Sequence, residues 1–103
     1  MSWVYLLSAI VLEVCGTTCM KLSDGFAKTT PSIGIFVFYG LSMVFLTLAM
    51  KRLDISVSYA VWSGVGTGLM AIVGTVMFGE PLGTLKTFAL GLIIVGVVAV
   101  HLG

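Results

Sequence analysis

The sequence predicts an all-helical membrane protein with four spanning helices, and three observations carry that prediction. Of 103 residues, 59% are hydrophobic and 9% charged, whereas a soluble domain carries roughly 25% charged residues and needs polar side chains to cover its core. The apolar residues fall into four runs, each close to the roughly 20 residues that a helix needs to cross a bilayer. All five Lys and Arg residues lie in the short breaks between these runs or at their edges.

The first span is expected at about 2–20 and contains a single charge, Glu13. It lacks a basic leading region and carries a carboxylate in its middle, so it reads as a retained helix and not as a cleaved signal. Leu12-Glu13-Val14-Cys15 does not make a lipoprotein cleavage site, because no small residue precedes Cys15. A polar break from Lys21 to Lys28 follows, and Pro31 stands where the second helix would begin. The second span, about 30–50, has no charge and ends at Lys51-Arg52-Leu53-Asp54. The third, about 56–78, is also uncharged and ends at Gly79-Glu80-Pro81-Leu82-Gly83. The fourth, about 85–102, has Lys86 at its start and His101 at its interfacial end. Short connections make consecutive helices antiparallel neighbours, so residues 1–103 read as one four-helix transmembrane domain.

Several classes drop out. A net charge of +1 with no basic run gives no footprint for nucleic acid. Cys15 and Cys19 are four residues apart on one predicted helix, with no third or fourth ligand nearby. They read as small apolar fillers, and no metal site is expected.

The basic residues are almost evenly divided between the two membrane faces. Lys51 and Arg52 fall on one side, and Lys21, Lys28 and Lys86 on the other. That is nearly no positive-inside bias. Two readings fit: a fluctuation of small numbers, or a chain that inserts both ways round, whose opposite copies would pair as an antiparallel dimer. The balance leans to the second.

Glu13 lies about ten residues, or roughly 15 Å, from either end of its helix. An acidic residue at that depth costs about 2.5–3.5 kcal/mol on insertion scales. The interiors of the other spans hold no basic residue that would neutralise it. Three states remain. Glu13 carries a proton, a cation from outside pairs with it, or a neutral carboxyl bonds a neighbouring helix. A group that alternates between the first two is a proton/cation exchange site, and intramembrane carboxylates are functional by default. On its helical face stand Leu6, Ala9, Ile10, Gly16, Thr17 and Met20. Gly16 leaves room beside the carboxylate, and Thr17 has the reach to bond it. Tyr59, Trp62, Ser63 and Gly66 share one face of the third span, and Tyr39, Ser42 and Met43 one face of the second. Aromatic faces hold organic cations. The same residues also serve ordinary packing, and Tyr59 and Trp62 are close enough to a helix end to be interfacial anchors.

Ala60, Gly64 and Gly68 form a small-residue stripe on the third span that permits close helix approach. The run Ser63-Gly64-Val65-Gly66 weakens the helix, so Gly64 and Gly66 are candidate hinges. On the fourth span Ala89, Leu92, Ile93 and Gly96 share a face, read as a dimer seam.

Taken together, certain motifs resemble the small multidrug resistance family of bacterial transporters over essentially the whole chain. They are Leu12-Glu13-Val14, Gly16-Thr17-Thr18, Met20-Lys21, Ser23-Asp24-Gly25-Phe26, Pro31-Ser32, Tyr59-Ala60-Val61-Trp62-Ser63-Gly64-Val65-Gly66, and Phe78 with Glu80. The resemblance implies a transporter and not an enzyme, without cofactor, multi-pass in the bacterial inner membrane. It implies an antiparallel, dual-topology homodimer in which Glu13 of both copies binds protons or a lipophilic organic cation in competition. It implies that Tyr39, Tyr59 and Trp62 line the substrate site with Ser42 beside them, and that the fourth span forms the dimer seam. Trp3 stands where multidrug members usually have a tyrosine, so it keeps the aromatic face without the hydroxyl. Ala89 replaces a frequent glycine of the seam. Guanidinium exporters of the family carry Trp at the position of Gly16, so Gly16 and the Trp-Ser-Gly-Val-Gly run resemble the quaternary-ammonium branch. The alternatives within the family are guanidinium export, and polyamine export as half of a heterodimer. Outside it, a holin-like pore or a passive membrane subunit remains.

Overall fold

The structure, a computed structural model, describes residues 2–103. Four helices are present: α1 (Ser2–Leu22), α2 (Thr29–Ala49), α3 (Ile55–Phe78) and α4 (Thr84–Leu102). All four are long and apolar enough to cross a membrane, and no strand occurs among the described residues.

The helix ends follow from local chemistry. α1 runs through Lys21 and Leu22 before the chain turns over three successive left-handed residues, Asp24, Gly25 and Phe26. Ser23 organises this turn from a buried position. Its hydroxyl donates to the Met20 carbonyl at 2.8 Å and accepts the Phe26 N–H at 3.2 Å. Pro31 lies in the first turn of α2, where the missing N–H costs no helical bond. α3 ends at Gly79, which takes φ +65°, a conformation that costs an L side chain about 1–2 kcal/mol. The Glu80 N–H then closes back on the Gly74 carbonyl at 3.0 Å.

Packing departs from simple succession along the chain. α1 lies between α2 and α3, and α4 packs on the outer side of α3. The core where the first three helices meet is formed by Leu6, Ala9, Ile10, Leu46, Ala49 and Val61. Consecutive helices α2 and α3 do not form an extensive pair, because the small and apolar face of α1 fills the space between them. Ser42 pins α2 to α1 by donating to the Ala9 carbonyl at 2.7 Å from a fully buried position. The Cα positions span 43 × 35 × 17 Å. Because α4 packs extensively on α3 alone, the four helices form an open slab and not a closed bundle.

The expected flexible run in α3 is helical throughout. Its two glycines face different neighbours. Gly64 is where α4 comes close: a methyl group at that Cα would collide with Val97 and press on Ile93. Gly66 faces α1. The expected seam residues Ala89, Leu92, Ile93 and Gly96 are all exposed, and α4 buries no residue at all.

Candidate functional site

Glu13 sits mid-helix on α1, and two side chains from two helices lie at one of its oxygens. Thr17, one turn further along, donates to Oε1 at 2.8 Å. The Tyr39 hydroxyl, from α2, lies 2.6 Å from the Thr17 hydroxyl and 3.4 Å from Oε1. A hydroxyl has one proton to give. Since Thr17 gives its own to the carboxylate, the proton in the short contact comes from Tyr39. The chain therefore runs Tyr39 to Thr17 to Glu13, and it polarises toward the carboxylate.

Tyr39 reaches this position because residue 16 is glycine. The Gly16 face is occupied by the Tyr39 ring: an added Cβ would lie 2.6 and 2.8 Å from two ring carbons. The room that glycine leaves beside the carboxylate is thus filled by the ring whose hydroxyl bonds Thr17.

The second oxygen is different. Oε2 is buried and has no hydrogen-bond partner among the described residues. It points at α3, where a Cβ on Gly66 would lie 3.1 Å from it. Beside Glu13 is a cavity of about 270 Å³ lined by Glu13, Trp62, Ser63, Gly66, Thr67 and Met70. Trp62 is half-buried, its Nε1 also lacks a partner among the described residues, and its ring packs at 5.6 Å on Tyr59, which is mostly exposed. The Ser63 hydroxyl is already engaged within α3, donating to the Tyr59 carbonyl at 2.7 Å. It therefore lines the cavity as a capped, weakly polar group.

The sequence-expected residues thus divide into three sets. Glu13, Thr17 and Tyr39 are joined by hydrogen bonds, while Trp62, Ser63 and Gly66 line the cavity beside Glu13, with Tyr59 at its edge. Ser42 is turned away, its hydroxyl committed to the Ala9 carbonyl. Trp3 is on the first turn of α1, edge-on to His101 of α4 at 5.4 Å, roughly 15 Å along the helix from Glu13. In one chain neither of these last two borders the carboxylate. Thr67 and Met70 were not singled out from sequence. They extend the Trp62–Ser63–Gly66 stripe by one more turn, at i+4 from Ser63 and Gly66, and following that stripe inward would have found them.

The site has a half-buried carboxyl group with one oxygen held and one without a partner, an aromatic wall, and no metal-holding group of three or more His, Cys, Asp or Glu among the described residues. It suits a proton or a monovalent cation with an apolar body.

Comparison with known proteins places the chain. The profile described as Small Multidrug Resistance protein matches residues 1–93. The chain is 51% identical over 102 residues to the uncharacterized membrane protein YvaE of Bacillus subtilis, covering 99% of this chain and 86% of that one. It is 46% identical over 97 residues to the multidrug resistance protein EbrB of the same organism, covering 94% and 83%. It is 38% identical over 100 residues to the quaternary ammonium compound-resistance protein QacE of Escherichia coli, covering 97% and 91%. With four membrane-spanning helices and relatives along nearly its full length, this multi-pass membrane protein belongs to the small multidrug resistance family.

Proposed function

We propose that the protein exports hydrophobic and quaternary ammonium cations in exchange for protons, the two ligands competing for Glu13. The observation that carries this reading is the unequal carboxylate. Oε1 is held by Thr17, which Tyr39 backs in turn, while the buried Oε2 has no partner among the described residues and Glu13 borders a cavity walled by Trp62. An unpaired charge in low dielectric is costly, so the free oxygen takes up either a proton or a cation. A quaternary ammonium ion offers no N–H, and its attraction is to charge and to aromatic faces. Trp62 and Tyr59 supply those faces.

The Gly16–Tyr39 contact supports the quaternary-ammonium branch over guanidinium export. Any larger side chain at position 16 would displace the Tyr39 ring from its bond with Thr17. The names of EbrB and QacE point the same way.

An antiparallel homodimer completes the site. One chain is an open slab, and α4 is unburied along its length. A second, inverted copy seated along Ala89, Leu92, Ile93 and Gly96 would enclose a path between two Glu13 residues. A cation entering from one side displaces protons from both carboxylates. The dimer then opens to the other side, where protons reload the carboxylates and release the cation. Exchange needs only that both facing states bind both ligands, and the proton gradient gives direction.

Proton release on binding tests this reading. Titrating tetraphenylphosphonium or a hydrophobic quaternary ammonium into lightly buffered protein should release protons into a pH dye, with affinity falling as pH falls. Glu13→Gln should bind weakly and release none. Unchanged, pH-independent binding in Glu13→Gln would remove the carboxylate from the mechanism.

A further inference from the structure

We propose that the chain also binds an anionic glycerophospholipid where α1 begins and α2 ends, with the phosphate between Lys51 and Arg52 and an acyl chain along α1. The first observation is a cavity of about 520 Å³ at that membrane end, well away from Glu13. Lys51 and Arg52 line it, together with the side chains of Ser2, Trp3 and Tyr5. Asp54, the acid nearest to these cations in sequence, is not part of the lining. Two basic residues, with Ser2 and Tyr5 beside them, line a space large enough for a phosphodiester. Trp and Tyr belong at headgroup level, and basic pockets between transmembrane helices hold anionic headgroups.

The second observation separates a lipid from a soluble anion. An apolar groove of about 490 Å³ lies along the same end of α1, lined by Val4, Leu7, Val11 and Phe45 with Ser8 the single polar residue. Tyr5 borders the polar cavity and Phe45 the groove, and their rings stack at 5.9 Å. The polar cavity and the groove are therefore adjacent. From Val4 to Val11 the groove follows about 10 Å of helix toward the bilayer centre. Inorganic phosphate would use only the first space, whereas a phospholipid uses both.

Native mass spectrometry of the detergent-solubilised full chain tests this, with dioleoyl phosphatidylglycerol or dioleoyl phosphatidylcholine added. The expected result is retention of phosphatidylglycerol over phosphatidylcholine by roughly tenfold or more, the order that two basic side chains supply at a membrane surface. Lys51→Gln with Arg52→Gln should abolish that preference. Lys21→Gln with Lys28→Gln, in the other polar loop, should keep it. Leu7→Trp, which fills the groove, should weaken phosphatidylglycerol retention at unchanged oligomeric mass. Equal retention of the two lipids, or a preference that survives Lys51→Gln with Arg52→Gln, would overturn the proposal. Displacement of phosphatidylglycerol by millimolar inorganic phosphate would overturn it in favour of a soluble anion. A change of oligomeric mass in Leu7→Trp would overturn it in favour of a second copy in the groove.

Discussion

Glu13 is useful because its surroundings treat its two oxygens differently. Removing the Thr17 hydroxyl should show how much the held oxygen matters. A hydrogen bond to a charged group contributes about 1.5–3 kcal/mol, but Tyr39 already stands 3.4 Å from the same atom and can close part of the gap. Thr17→Val should therefore cost about 1 kcal/mol of cation affinity, roughly fivefold by equilibrium dialysis. Thr17→Ser should restore binding. Gly16→Ala tests the other contact. Its methyl would fall 2.6 Å from the Tyr39 ring, so quaternary ammonium binding should weaken through displacement of Tyr39, and Tyr39→Ala should remove most of the difference between Gly and Ala at position 16. Much of this was legible in the sequence: a lone mid-span carboxylate, a threonine one turn away, a glycine between them. The partition of Tyr39 and Ser42 was not. They share a helix face, yet one bonds Thr17 and the other the Ala9 carbonyl, because which residue of a face meets which neighbour depends on helix rotation, and periodicity does not fix that.

Helices α1 and α3 carry the site with Tyr39 from α2, and α4 carries little within one chain. The four spans were readable from length and hydropathy, and their ends shift by at most two residues from expectation. The Ser23 turn lengthens α1 beyond Met20. The order in space was not readable. Short loops favour consecutive neighbours, but α1 has the small and apolar face that both α2 and α3 need, and it lies between them. The small residues of α3 were expected to permit close helix approach, with Gly64 and Gly66 also as candidate hinges. Gly64 admits Val97 of α4, as the stripe implies, and Gly66 admits the Glu13 carboxylate. The two substitutions should consequently separate. Gly64→Val should loosen α4 and lower thermal stability in detergent while leaving cation affinity in the folded fraction nearly intact. Gly66→Ala should spare stability and lower cation affinity, because its methyl crowds Oε2. Ser42→Ala deletes one interhelical hydrogen bond, and such bonds average about 0.6 kcal/mol in membranes. A small drop in melting temperature without a change in pH-dependent binding would match its place between α1 and α2.

At the scale of the whole molecule, one chain is an open slab with an apolar, unburied fourth helix and basic residues split nearly evenly between its faces. Both properties fit the proposed second, inverted copy. A cysteine placed in the Lys51–Asp54 turn should accordingly be labelled by an impermeant maleimide from both sides of the membrane, in about equal amounts. Labelling from one side alone would favour a fixed orientation and a parallel or unlike partner. On the proposed mechanism, a monovalent cation that displaces the protons of two Glu13 carboxylates moves net charge in each cycle. The most direct test uses purified protein in liposomes, recording current on addition of a hydrophobic quaternary ammonium, guanidinium or a polyamine, with Glu13→Gln as control. Current for the quaternary ammonium that disappears in Glu13→Gln is the predicted result. Equal current in the variant, or silence for all three cations, would contradict proton-coupled exchange at Glu13.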